Sequence, residues 1–348
     1  MRFSPLVDRI AFRGAATWSV HMEAARMRDV GQDVIILTVG DPDQSPPEPV
    51  IEATIDALRR RRTGYSAILG YPRVRQAIAA RFQRRTGHPC VGASGARLVT
   101  VPLRADRGFH PDLNAIAAAV TPRTRVVWIN SPHNPTGVVF TAEEIAGIAE
   151  LCRARDLWLV SDEVYEDLAF SRPHVSPWSL PDMAERTVIV SSLSKSLAMP
   201  AFRFGWIIGP ASLSPHLFDL LLCVTYGSPA FIQDGVLAAL ESELPDIAPL
   251  RDIYRDRARL LSAILAEARN CRLTPPEGGM FVMLDVRGTG LSSEAFAHEL
   301  LSQERVAVLP CDSFGPSAAG HLRISLTAPE PRLAEAGRRI VRFADTLT

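Results

Sequence analysis

The chain has 348 residues, 47% hydrophobic and 22% charged, enough for one large globular domain and a smaller one. Lys+Arg and Asp+Glu both number 38, so a formal net charge of zero gives no global pull towards nucleic acid or anionic lipid. Five scattered cysteines without CxxC or metal-ligand spacing, no apolar stretch of membrane length, and an N-terminus lacking an apolar signal core predict a cytoplasmic protein with free thiols and no bound metal.

In chain order, "EPVIEATIDALRRRRTG" places apolar residues at helical spacing, with Pro49 near the start and Gly64 past the end, and predicts a helix. The arginines 59–62 fall at its C-terminus, where the helix dipole favours cations. "YPRVRQAIAARFQRRTG" repeats the pattern. "ARLVTVPL" reads as a strand and "PDLNAIAAAV" as a helix. "TAEEIAGIAELCRARD" opens with a capping box, Thr141 with Glu144, and sets Ile145, Ile148 and Cys152 on one face. "LPDIAPLRDIYRDRARLLSAILAEAR" is the longest periodic segment, with Ile253, Arg257, Leu260, Leu261 and Ile264 as its stripe, and reads as a connector between two domains.

Between the helices lie the unbroken apolar runs "RVVWIN", "DLWLVSDE" and "TVIVSSLS". Continuous hydrophobicity predicts strands covered on both faces, hence a parallel sheet with crossover helices. Each run delivers polar residues at its C-terminal end: "SPHNPTG", "SDEVY" and "SSLSK". In an open parallel sheet the crevice outside those ends is where ligands bind.

The blocks "NPTG" (134–137), "SDEVYEDL" (161–168) and "SLSKSLAMPAFRFG" (192–205) resemble the signature blocks of fold-type I, pyridoxal-phosphate-dependent aminotransferases. The resemblance runs from "LTVGDPD" near Leu37 to "HLRISL" near Arg323. Within that group, "NSPHNP", "HVSPWSLPDMAERT" and "GGMFVMLDVRGTGLS" are most similar to arginine–pyruvate transaminases. The resemblance implies an α/β fold: a three-layer large domain with a mostly parallel sheet over 41–245, and a smaller α+β domain from 1–40 and 246–348. It also implies pyridoxal 5'-phosphate as cofactor, an amino acid and a 2-oxo acid as substrates, and a homodimer.

Residue by residue, Lys195 would condense with the cofactor aldehyde and then carry the proton. Desolvation and a nearby cation such as Arg203 would lower its pKa for that task. Asp162 would keep the cofactor ring nitrogen protonated, and Tyr165 and Asn134 would hydrogen-bond its phenolic oxygen. Ser192, Ser194 and Arg203 would hold the phosphate, joined by Tyr65 of a second subunit. Arg323 would pair with the substrate α-carboxylate beside Asn134, and Gly40 would let the backbone approach the substrate. Taken singly, each has a plainer reading: a snorkelling lysine, a capping aspartate, a turn, an arginine on a surface strand, a packed aromatic.

Two departures bear on activity. Ala201 stands where the family carries glycine, so a positive φ there would be strained. Only 63 residues separate Gly70 from Asn134, too few for the family's phosphate-cradling helix start and ring-stacking aromatic. A family segment is therefore expected to be missing near residues 92–93, which predicts weakened cofactor binding and open strand edges. Two alternatives follow: a degenerate, non-catalytic homologue, and a C–S or β-lyase of the same fold.

Overall fold

The computed structural model describes residues 15–63, 67, 70–78, 99–224, 227–241 and 248–347. Its elements begin with α1 (Ala15–Asp29), β1 (Ile35–Ile36), α2 (Glu48–Arg59), α3 (Leu113–Ala119), β2 (Val126–Asn130), α4 (Ala142–Ala154) and β3 (Trp158–Asp162). There follow β4 (Thr187–Ser192), the single turn α5 (Leu193–Ser196), β5 (Gly205–Ile208), α6 (Ser214–Val224), α7 (Ala230–Glu241) and α8 (Ala248–Leu265). The chain ends in β6 (Arg272–Thr274), β7 (Phe281–Asp285), α9 (Ser293–Glu304), β8 (Val306–Ala307), β9 (Leu309–Pro310), β10 (His321–Ser325) and α10 (Glu330–Asp345).

The three apolar runs become adjacent parallel strands in the order β2–β3–β4, with β5 antiparallel on the far side of β4. Helices cover both faces, which is why the runs are continuous. On one face Ile145, Ile148 and Cys152 of α4 pack with Ile129 and Leu159. On the other, Val50 of α2 and Val236 of α7 pack with Ile189 and Ile208. Register aligns Asn130 with Asp162, and Asp162 with Val190, so the polar ends of the three strands share one edge.

The expected capping box is present: Glu144 N–H donates to Thr141 Oγ1 at 3.2 Å, and Thr141 N–H donates to Glu144 Oε2 at 2.8 Å. The arginines after α2 serve local packing, with Arg60 paired to Asp56 and Arg62 to Asp234. A second core joins α1, α8, α9 and α10 to the antiparallel sheet β6–β7–β10–β9. Gly337 of α10 packs so closely that a Cβ there would lie 2.9 Å from Ile264 and 3.1 Å from Leu261. No helix among the described residues is long and apolar enough to cross a membrane.

Three expectations change. Residues 99–104 form no strand, although "ARLVTVPL" reads as one. Of the stripe read for α8, Arg257 and Leu261 are buried while Ile253, Leu260 and Ile264 are only partly so, and Tyr254, Ala258 and Leu265 complete the buried face. Arg257 is buried through an ion pair with Asp43. Ala201 adopts no positive φ; the left-handed backbone falls instead on Ala198 (51°) and Arg203 (49°). Tyr65 and the junction at 92–93 lie outside the described residues.

Candidate active site

Lys195 sits on α5, the turn that starts where β4 ends. Ser192 caps that turn, its Oγ accepting from Ser194 N–H at 3.0 Å while lying 2.8 Å from the Phe204 carbonyl oxygen and 2.7 Å from Ser194 Oγ. The Lys195 ammonium crosses to the loop after β1 and donates to Gly40 O at 2.7 Å. Burial lowers its pKa; Asp41 opposes, and Arg323 and Arg203 lower it further. Lys195 is also the only lysine in the sequence, every other Lys+Arg position being arginine.

Asp162 ends β3. Burial raises its pKa, opposed by one hydrogen bond from Val164 N–H at 3.2 Å and reinforced by the charge of Glu163. Among the described residues its carboxylate has no cationic partner. Glu163, next along the strand, points into the interior and is fixed there by Ser176 Oγ–H at 2.9 Å. The alternation of the strand then turns Asp162 the other way.

Arg323 is the opposite charge in the same predicament. It stands on β10, 7% exposed, with its Cζ 4.1 Å from the centre of the Phe281 ring and 5.5 Å from that of Phe314. It donates through Nη1 to Asn134 Oδ1 and through Nη2 to Thr38 O, both at 2.9 Å. Its Nε–H is buried without an acceptor, and no carboxylate pairs with it among the described residues. Burial lowers its pKa.

Asn134 links the two ends. Its N–H donates to Asn130 Oδ1 at 2.8 Å, and Asn130 Nδ2–H donates to Asp162 O at 3.0 Å. Tyr165 is buried with its ring edge-on to Phe281 at 6.1 Å, and burial raises its pKa. Gly40 is required by packing: a Cβ there would lie 2.6 Å from Phe281 Cζ. The close approach seen at Gly40 is to an aromatic ring under Arg323.

The structure therefore brings together Lys195, Asp162, Tyr165, Asn134, Arg323 and Gly40. Arg203 lies at the rim, exposed, donating to Pro200 O at 2.8 Å. Ser192 and Ser194 are engaged with each other, and Tyr65 is outside the described residues. Sequence reasoning missed Asn130, Thr38 and Phe281. Asn130 had a signal, a polar residue closing an apolar run; Thr38 acts through its carbonyl, which no sequence reveals.

The residue set can now be set against known proteins. The family described as aminotransferase class I and II matches residues 88–340. The chain belongs to that family. An arginine–pyruvate transaminase of Pseudomonas aeruginosa is 43% identical over an alignment covering 100% of this chain and 99% of that protein. An aspartate/prephenate aminotransferase of Thermus thermophilus is 30% identical, covering 95% and 96%. The solved structure of Thermus thermophilus aspartate aminotransferase with maleate superposes with a TM-score of 0.89 at 29% identity, covering 99% and 100%.

This aminotransferase thus has the fold-type I architecture, and its family uses pyridoxal phosphate. The relatives give no support to a degenerate homologue. The residues present fit the cofactor: a buried carboxylate without a cation suits a protonated ring nitrogen, and a half-buried lysine of lowered pKa suits an aldehyde.

Proposed function

We propose that this aminotransferase moves the amino group of L-arginine to pyruvate, with Lys195 as its proton carrier. The observation that carries the catalytic part is the pair of uncompensated charges, Asp162 and Arg323, around a lysine of lowered pKa. Burying such charges is costly unless a ligand completes them. The donor and acceptor rest on similarity to the Pseudomonas enzyme.

When bound, pyridoxal phosphate supplies an electron sink for the bond being broken. Asp162 would accept the hydrogen bond of the ring N–H. Asn134 and Tyr165 are placed to hydrogen-bond its phenolic oxygen, and Ser192, Ser194 and Arg203 to meet its phosphate. Arg323 takes the substrate α-carboxylate through its free Nε–H and the outer edge of its fork, held in plane by Phe281. That grip would orient the substrate Cα–H towards Lys195 Nζ, which would take up the proton and return it on the far side of the amino nitrogen. The Gly40 carbonyl holds the amine ready between the two transfers.

The proposal includes the two-domain division at 41–245 and a homodimer to which Tyr65 of the partner subunit contributes. Exposed Phe218, Leu220 and Leu222 on α6 support a covered face. The test is turnover of arginine with pyruvate by the protein loaded with pyridoxal phosphate, read as alanine formed. No turnover with arginine but turnover with another donor removes the donor assignment. Release of ammonia without an acceptor indicates a lyase.

A further inference from the structure

The loop that holds Lys195 carries two aspartates in different states. Asp43 forms a two-pronged ion pair with the buried Arg257, at 2.8 and 2.9 Å, and is neutralised. Asp41 is exposed and makes no hydrogen bond or ion pair among the described residues. It directly follows Gly40, whose carbonyl lies 2.7 Å from Lys195 Nζ, so it sits on the loop that borders the reacting centre. Its charge opposes the lowering of the Lys195 pKa by burial. Three residues on, Gln44 Oε1 is buried without a hydrogen-bond donor, a second unused acceptor on the same loop.

We infer that Asp41 is the specificity-determining residue that receives the cationic side chain of the donor amino acid. The site has a cation, Arg323, for the α-carboxylate and a lysine for the reacting carbon. What remains on the loop beside it, among the described residues, is one unpaired anion. A guanidinium at the end of a flexible chain complements it, and a planar fork can engage both carboxylate oxygens. The same charge repels the side chains of aspartate and glutamate. This assignment rests on the arginine donor proposed above and explains how one loop would select it.

The test compares wild type, Asp41→Asn and Asp41→Glu, each loaded with pyridoxal phosphate, with arginine and alanine as donors to a common 2-oxo acid. Asp41→Asn is expected to narrow the arginine-over-alanine ratio of kcat/KM by about tenfold, and Asp41→Glu to restore most of it. Calorimetric binding of 5-guanidinovalerate, which lacks the reacting amino group, supplies a readout independent of turnover. Its Kd should weaken by about the same factor in Asp41→Asn, relative to valerate. A wild-type preference for arginine that survives in Asp41→Asn overturns the inference and leaves the donor assignment intact. Proportional loss with both donors also overturns it, marking a role towards Lys195 itself. A wild type without any preference for arginine overturns the donor assignment, and this inference with it.

Discussion

Arg323 is the residue on which substrate binding turns. One N–H of each terminal nitrogen is tied, to Asn134 Oδ1 and Thr38 O, which leaves Nε–H and the outer N–H groups of its fork for a carboxylate. Arg323→Gln should lower kcat/KM for the amino acid by about a hundredfold, chiefly through KM, with the circular dichroism of the fold retained. Arg323→Lys should recover little, because an ammonium keeps the charge but loses the planar edge. His133, in the same loop as Asn134, gives a pH prediction. Burial pushes its imidazole from an ordinary 6.5 down to about 4. Between those values the unfolded chain holds a proton that the folded chain does not. The contribution is fully present above pH 6.5 and is lost as pH falls towards 4, by up to roughly 1.4 kcal/mol per pH unit. Thermal unfolding followed from pH 7 to 4 should show a shallower decline in His133→Asn than in wild type. At this scale the sequence was informative for charged residues at strand ends and silent on backbone partners. Lys195, Asp162 and Arg323 could be named because the motifs that hold them resemble the family's signature blocks. The carbonyls of Thr38 and Gly40 could not, since any residue has one.

Elements place these residues, and the placement was legible where a local rule is strong. The run 187–192 ends in a serine that caps the next turn, so the strand hands directly to the lysine. Thr141 and Glu144 close the start of α4 reciprocally, as their spacing requires. Thr141→Ala should cost about 1 kcal/mol of stability in denaturant titration and leave substrate constants alone, since α4 lies on the far face of the sheet. Gly40→Ala should act differently. Its Cβ would collide with the ring that supports Arg323, so KM for the amino acid should rise while stability falls by about 1–3 kcal/mol of overpacking. The stripe of α8 included Arg257, but the partner that lets this cation be buried, Asp43, lies 214 positions away. Long-range ion pairs leave no local periodicity.

At the scale of the molecule, the site exists only because two cores meet. Lys195 and Asp162 come from the parallel sheet, Arg323 from the antiparallel one, and Gly40 from the loop between them. The parallel sheet was readable from its unbroken apolar runs. Its limits were not: β2 carries Trp128 at 60% exposure, and among the described residues it pairs only with β3. Sedimentation should give twice the 38.0 kDa mass of one chain if the apolar face of α6 meets a second copy. A monomer at micromolar concentration would count against that arrangement. The central claim is that the single ε-amine of the sequence is the one that condenses with the cofactor aldehyde. It is tested by adding pyridoxal phosphate, reducing with borohydride and locating the label by peptide mass. The account predicts a visible chromophore, and one reduced cofactor per chain on the peptide containing Lys195. Protein that stays colourless in excess cofactor, or a label found only on the terminal α-amino group, would contradict it.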